Sequence, residues 1–360
     1  MKFRRFGIAA ICCTLLLLTA CQGKTGGRTS SLVSKNSTSY AVSEEASSQL
    51  SSDTQGSADV KQSSSGTQSS ADTKDTHKIS YNPSDYFSGE VPPDTEADAL
   101  IQSPLYHSAV MYCIEDKQWL YRDGGTLKTA PASITKLLTA SIALEYLSPD
   151  EIVTVGTEQE FVHSGSSLCY IGYGDQLTVK ELLTGMLLNS GNDAAYTAAV
   201  CAARAMMPDE RLSDGEAIRV FCDKMNAKAA AIGMRNSHFV NPDGWDEDLQ
   251  YVTADDLVKL SVYALQYPII REIVGTYAYD VQFVSGERIH WTNTNSLLNP
   301  DSSFYDKRCI GLKTGTTDNA GCCLAAAMQQ NGKTYISIVT GCNTNDDRYD
   351  ITLQLFNRTK

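Results

Sequence analysis

The 360-residue sequence has little histidine, no C-x-x-C cysteine pair and no long apolar run. Each absence excludes something. None of the five histidines falls in a motif, and none of the eleven cysteines pairs with another as C-x-x-C, so no zinc site or other metal is expected. No cofactor is expected either. The first apolar run, from about Phe6 to Thr19 behind Lys2, Arg4 and Arg5, is too short and wrongly flanked for a spanning helix; its layout is that of a secretory signal. Positive charge is also in deficit: the formal balance is −12, or about −15 once the three cations of the signal are removed. An acidic exterior argues against nucleic acid as a partner and against a polybasic grip on anionic lipid. From Gln22 to Ser80 there is no Pro, Trp or Phe, and a run so polar buries too little apolar surface to offset its ordering entropy. It reads as a flexible tether, and roughly 60 such residues reach about 40–45 Å r.m.s..

What is present begins at the end of the signal. Leu18-Thr19-Ala20-Cys21 resembles the lipobox of bacterial lipoproteins. The resemblance implies cleavage before Cys21, diacylglycerol on its sulfur and a mature chain held at the membrane by lipid. The other reading is an ordinary signal with a chance Cys at its end. The expected divisions are therefore a lipoprotein signal at 1–21, a disordered Ser/Thr-rich tether at 22–98 and one folded domain at 99–360. Eight cysteines remain beyond Cys21: 113, 169, 201, 222, 309, 322, 323 and 342. They read as small buried hydrophobes, with one or more disulfides as the alternative. Cys322 and Cys323 are adjacent, so on a strand they face opposite ways and are poor partners for each other.

The folded part opens with "SAVMYCIEDKQWLYRDGG", two β-type runs around Glu115-Asp116-Lys117, read as a hairpin. "PASITKLLTASIALEYL" is apolar nearly all round and predicts a buried helix. "TVKELLTGMLL" opens on a capping box at Thr178 and Glu181. "EAIRVFCDKMNAKAAAIGM" predicts a helix ending at Gly233, and "TADDLVKLSVYAL" another. Strands return at "TYAYDVQFVSGERIHWTN" and at "GCCLAAAMQQNGKTYISIVTGC", whose Asn331-Gly332 is a hairpin turn. A last helix is expected over about 346–356. Strands at both ends with helices between predict a mixed α/β fold: an antiparallel sheet flanked by helices, with an all-helical lobe.

Ser133 and Lys136, in "APASITK", lie at i and i+3 on one helix face. A Ser hydroxyl is a weak nucleophile until a base takes its proton, and burial depresses a lysine enough to serve. The bland alternative is a helix-capping Ser beside a surface Lys. Two features favour the first: no other Ser in the chain has Lys three residues on, and Lys136 is enclosed by Ile134, Leu137 and Leu138. A second element, Ser190-Gly191-Asn192, follows the helical run "ELLTGMLL"; there Ser190 could relay a proton and Asn192 hold both Lys136 and a peptide carbonyl. A third, Lys313-Thr314-Gly315, sits at a strand edge where a cation and a hydroxyl could receive a carboxylate while Gly permits close backbone approach. The triplets alone are weak evidence, since Ser34-Lys35-Asn36, Ser80-Tyr81-Asn82 and Lys24-Thr25-Gly26 repeat them. Order and context carry the signal.

In that order the three elements match the signature shared by penicillin-binding proteins and class A β-lactamases. With "GDQLTVKELLTGMLLNSGNDAA", "MNAKAAAIGMRNSHFVNPDGWD", "NTNSLL" and "GLKTGTTDNAGCCLAAA", the chain from about residue 100 resembles the D-alanyl-D-alanine carboxypeptidases, the low-molecular-mass penicillin-binding proteins of the β-lactamase/transpeptidase-like superfamily. The resemblance implies that Ser133 is acylated by a peptidoglycan stem peptide or a β-lactam antibiotic, with Lys136 as its base. It implies Ser190 and Asn192 as the relay and binding pair, Lys313 and Thr314 as carboxylate recognition, and Gly315 and Thr316 as further substrate-binding positions. The N–H groups of Ser133 and Thr316 would form the oxyanion hole. The action would be extracytoplasmic. Many members continue into a β-rich domain and an amphipathic anchoring helix; the printed sequence ends four residues after Phe356, so anchoring is expected from the N-terminal lipid instead. Trp245 stands where the family more often has a smaller aliphatic residue. A β-lactamase shares the motifs, but the E-x-x-L-N string of class A is missing between Asn192 and Lys313. A non-catalytic penicillin-binding surface lipoprotein is the third reading, weakened by the intact motif residues.

Overall fold

The computed structural model describes residues 78–95 and 105–359, all within the compact unit running from Ser69 to Lys360. Cys21 and residues 22–77 of the expected tether lie outside the described residues. Among the described residues no helix is long and apolar enough to cross a membrane.

In chain order the strands and helices are β1 (Ser108–Cys113), β2 (Gln118–Asp123), β3 (Lys128–Thr129), α1 (Lys136–Tyr146), β4 (Ile152–Thr154), β5 (Gln176–Thr178), α2 (Val179–Leu188), α3 (Asn192–Met206), α4 (Asp214–Ala231), β6 (Val252–Thr253), α5 (Ala254–Ala264), α6 (Pro268–Gly275), β7 (Ala278–Gln282), β8 (Arg288–Thr292), β9 (Cys309–Thr317), β10 (Gly321–Gln330), β11 (Lys333–Cys342) and α7 (Asn345–Phe356). The main sheet runs β2-β1-β11-β10-β9 and is antiparallel throughout. The first hairpin is thus zipped onto the last, with Ser108 opposite Thr340 and Cys113 opposite Tyr335.

Period-2 alternation then assigns the faces. Val110, Tyr112, Ala325, Ala327, Ile336 and Ile338 face the larger core, shared with α1 to α5. Ala109, Met111, Leu324, Ala326, Met328 and Val339 face a smaller core under α7. Strands covered on both sides read as continuous apolar runs, which is why "CCLAAAM" lacks polar alternation. The two-residue turn Asn331-Gly332 is left-handed at both positions, φ 52° and 76°, as a tight hairpin requires.

The mixed α/β expectation holds, and so do the expected hairpins and the capping box at Thr178. Two details differ. The "APASITK" helix starts later than its sequence suggests: Ala132–Thr135 form a 3-10 turn and α1 proper begins at Lys136, without a side-chain cap from Ser133 or Thr135. The packed structure also begins before 99. Tyr81 stacks on Tyr86 with centroids 5.0 Å apart and meets Tyr263 edge-on, Tyr112 donates to the carbonyl of Tyr86, and the buried Arg122 guanidinium grips Pro92 O and Asp94. Tyr81, Tyr86 and Phe87 supply the apolar surface that the Ser-rich stretch lacks, so packing reaches back at least as far as Lys78, inside the stretch expected to be tether. The eight cysteines stand as free thiols, six of them buried.

Candidate active site

The 3-10 turn carrying Ser133 is wedged between two glycines from distant segments. Ala132 takes a left-handed φ of 46°, rare for a residue with a side chain, immediately before the nucleophile. A Cβ on Gly244 would lie 1.8 Å from Ala132 O, and one on Gly315 would lie 2.8 Å from Ala132 Cβ and 3.0 Å from Ser133 N. The glycine of K-T-G is therefore needed so that β9 can press against the serine turn. Gly244, itself at φ 91°, does the same from the loop before β6.

Lys136 is fully buried at the first position of α1. Its Nζ lies 2.9 Å from Ser133 Oγ, 2.7 Å from Asn192 Oδ1 and 2.7 Å from Asp243 O, a ring of three neutral acceptors. Burial lowers its pKa to about 8, against the opposing pull of the Asp243 and Asp193 charges. An amine so placed is able to take the proton of Ser133 Oγ. Ser190, at φ 60°, occupies the strained junction between α2 and α3. The neighbouring Asp193 secures that junction by accepting from the N–H groups of Cys169, Ile171 and Ala194, while Asn192 N–H donates to Ser167 O.

Opposite stands β9, the edge strand of the sheet, whose outer backbone groups are open to an extended ligand. Lys313 is 1% exposed; its Nζ contacts Thr314 O at 3.1 Å. Burial, then the charges of Lys136 and Arg348, push its pKa well below the ordinary lysine value. Thr314 Oγ1 lies 2.5 Å from Thr294 Oγ1. Thr316 is exposed at the cleft. Three cationic side chains thus converge here; an anion arriving between them would relieve their repulsion.

The structure brings Ser133, Lys136, Asn192, Lys313, Gly315 and Thr316 into one neighbourhood, with Thr314 next to Lys313 on β9; Ser190 stands at the junction of α2 and α3, two residues before Asn192. It adds Arg348, Thr294 and Asp243, and gives the already noted Trp245 a place. Arg348, on α7, is 5% exposed and donates to Gly315 O, Thr316 Oγ1 and Cys323 O. Thr294 partners Thr314, and only its place in the "NTNSLL" block hinted at it. Asp243 lies beneath Lys136. Trp245 stacks face to face on His163, with centroids 4.8 Å apart and planes 2° from parallel. Trp245 lines a small pocket of about 70 Å³ together with Ser133, Ser166, Asn192, Asp243 and Thr316. It also lines an outer vestibule of about 510 Å³, with Gly165, Asp246 and Thr317.

A serine hydroxyl, a buried amine one helical turn away and an open strand edge beside buried cations define a serine–lysine acyl-transfer site. Comparison with known proteins agrees. The family described as D-alanyl-D-alanine carboxypeptidase matches residues 102–344. The carboxypeptidase DacF of Bacillus subtilis (strain 168) is 32% identical over 244 residues, 67% of this chain and 58% of that protein. The D-alanyl-D-alanine carboxypeptidase of Streptomyces sp. (strain K15) is 32% identical over 61% of this chain and 75% of its own length. DacA of Escherichia coli (strain K12) is 30% identical over 62% and 53%. Among solved structures, the Streptomyces K15 DD-transpeptidase superposes with a TM-score of 0.65 at 28% identity, covering 71% of this chain and 98% of that one. Penicillin-binding protein D2 of Listeria monocytogenes in its ampicillin-bound form gives 0.58 at 28% identity with the same coverage. This chain belongs to the D-alanyl-D-alanine carboxypeptidase family. It spans a little over half the length of several of the curated relatives that it matches.

Proposed function

We propose that the protein is a serine-type D-Ala-D-Ala carboxypeptidase that trims the terminal D-Ala from peptidoglycan stem pentapeptides and is acylated by penicillin. The observation that carries the reading is the placement of Lys136 Nζ 2.9 Å from Ser133 Oγ in a buried, carboxylate-free ring of acceptors. Lys136 takes the Ser133 proton as Oγ attacks the carbonyl of the penultimate D-Ala. The backbone N–H groups of Ser133 and Thr316 receive the developing oxyanion, each such donor being worth roughly 2.7–4 kcal/mol. The proton passes to the departing amine, through Ser190 or directly from Lys136, and terminal D-Ala leaves. Water then cleaves the ester. Asn192 orients the substrate's amide, and Lys313 with Thr314 receives its terminal carboxylate, Arg348 reinforcing the positive field behind Gly315.

The names of the relatives, which describe both carboxypeptidases and a DD-transpeptidase, support this reaction class. We further propose that the chain acts outside the cytoplasm, lipid-anchored through Cys21, with residues 22 to about 77 as the tether. The test is mass spectrometry of muropeptides incubated with the protein: loss of one alanine from pentapeptide stems is expected. Ser133→Ala should abolish both that loss and the covalent penicillin adduct while keeping its melting transition. Absence of D-Ala release and of any adduct in the wild type would sink the proposal, and partitioning of Cys21→Ser into the detergent phase as fully as the wild type would sink the anchor.

A further inference from the structure

Among the cysteines of the described residues, only Cys322 and Cys342 stand opposite one another in a strand pair, as register partners where β10 meets β11. A bulge makes their faces agree. From the pair Leu324–Val339 to the pair Cys322–Cys342, β10 moves by two residues and β11 by three. The extra residue falls beside Gly341, which takes a left-handed φ of 71°. Without it, strict alternation would aim Cys342 away from the face of Val339. With it, Cys322 and Cys342 both pack into the smaller core under α7, together with Leu324 and Tyr349. Antiparallel partners have Cα atoms about 4.5 or 5.5 Å apart, and a disulfide spans about 4.4–6.8 Å, so either spacing accepts the bond without moving the backbone. Cys323 is a poorer partner: it lies in the larger core, its thiol donating to Ala320 O at 3.3 Å. The pair also stands close to the chemistry. Cys322 is opposite Thr316 on its other side, and Cys342 leads through Asn343 and Thr344 into α7, whose Arg348 donates to Gly315 O and Thr316 Oγ1.

We propose that Cys322 and Cys342 are a site of covalent modification: a small-molecule disulfide of the glutathione class oxidises them to a cross-strand disulfide that staples β10 to β11 behind Thr316. The bond does not depend on the carboxypeptidase reading. Cys322 is half-buried and Cys342 is 1% exposed, so Cys322 reacts first. Its thiol gives a proton to solvent, and the thiolate attacks one sulfur of the oxidant; that S–S bond breaks and one small thiolate leaves. Cys342 then loses its proton and attacks Cys322 Sγ, expelling the second small thiolate. The two released thiolates take up the two protons, so one disulfide is reduced as one is formed. Burial, then the charges of Cys323, Asp347 and Cys322, push the Cys342 thiol up, which makes the second step the slow one.

The test uses the purified protein, folded, incubated with oxidised glutathione and then trapped with an alkylating agent. The monomer should become about 2 Da lighter, the loss of two hydrogens, after a transient glutathione adduct. Cleavage after Lys313, Lys333 and Arg348 yields the peptides 314–333 and 334–348, which hold Cys322 with Cys323 and Cys342 respectively. Without reduction these two peptides should run as one linked species. Cys323→Ser should keep the link and Cys322→Ser should lose it; the reverse pattern would overturn the assignment. Fragmentation of the wild-type linked species between residues 322 and 323 makes the same distinction without any variant. Both peptides fully alkylated after prolonged oxidation would overturn the proposal outright. Reduction of the bond should lower the melting temperature of the wild type by about 5–10 °C and leave that of Cys322→Ser unchanged. Equal melting of the oxidised and reduced wild type would overturn the stapling role.

Discussion

Lys136 and Lys313 are both fully buried lysines in one cleft, and their surroundings are opposite in kind. Lys136 sits within three neutral acceptors that satisfy it whether or not a ligand is bound. Lys313 makes one contact, to a neighbouring carbonyl, and feels the repulsion of Lys136 and Arg348. The first is a finished environment for an amine that must be neutral to work. The second is an unfinished environment, completed when a carboxylate arrives. Burial depresses both; the neighbours decide what each depression is for.

The comparison breaks most visibly at the nucleophile's side. Lys136→Ala should lower acylation of Ser133 by roughly 10²–10⁴-fold, the range for removing a general base, with the penicillin adduct followed by mass spectrometry over hours rather than minutes. Acylation by a nearby hydroxide-driven route at the wild-type rate would show that the amine is not the base. On the other wall, Lys313→Ala should reduce kcat/KM for a stem peptide by about 10–100-fold, the worth of a charge-assisted hydrogen bond. The variant should also lose preference for a free over an amidated C-terminus, and equal wild-type rates on the two peptides would undercut the role of Lys313.

A pH series separates the two lysines. With its pKa lowered to about 8, Lys136 is protonated below that value and neutral above it, so the acylation rate constant should climb about tenfold per pH unit below 8 and level off above. Lys313 must be charged when it holds a carboxylate, and its pKa in the free protein is depressed. Substrate binding should therefore draw in a proton, so that KM rises as pH rises. Calorimetry in buffers of different ionisation enthalpy would show the uptake, and a buffer-independent heat would count against it. The smallest effect is expected at the rim. Trp245→Leu removes a ring pair worth about 0.5–1.5 kcal/mol, for a fall in melting temperature of roughly 2–4 °C. It should also raise severalfold the acylation rate by penicillins with bulky side chains; an unchanged rate would show that the Trp245–His163 stack does not limit access.

How much of this was readable beforehand follows from distance along the chain. Ser133 and Lys136 are one helical turn apart, Ser190 and Asn192 two residues apart, and Lys313 to Thr316 consecutive on a strand. Local geometry alone relates the members of each group, and their order identified the family. Arg348 was unreadable because one Arg in "NDDRYDITLQLF" looks like a surface residue; it is buried only because α7 folds back across β10. Asp243 looked like any residue of a Pro-Asp-Gly turn. The helix α3 passed unnoticed because "DAAYTAAVCAARAM" has small residues all round and shows no amphipathic stripe; it is buried almost throughout. The packing of residues 78–95, ahead of the start expected near 99, was masked by prolines and polar neighbours around the tyrosines.

By itself the sequence determined which chemical groups the protein possesses, the period of its strands and helices, and the hairpin turns and helix caps, all of which depend on residues within about four positions of one another. Tertiary structure decided the rest of the chemistry. Whether a lysine is a base or a carboxylate receptor, whether an arginine is a surface residue or lies buried behind β9, and why glycine must stand at 244 and 315 all depend on burial and on neighbours from remote segments. The free energy of a charge is set by the atoms within a few ångströms of it, and those atoms are chosen by the fold rather than by the chain's order.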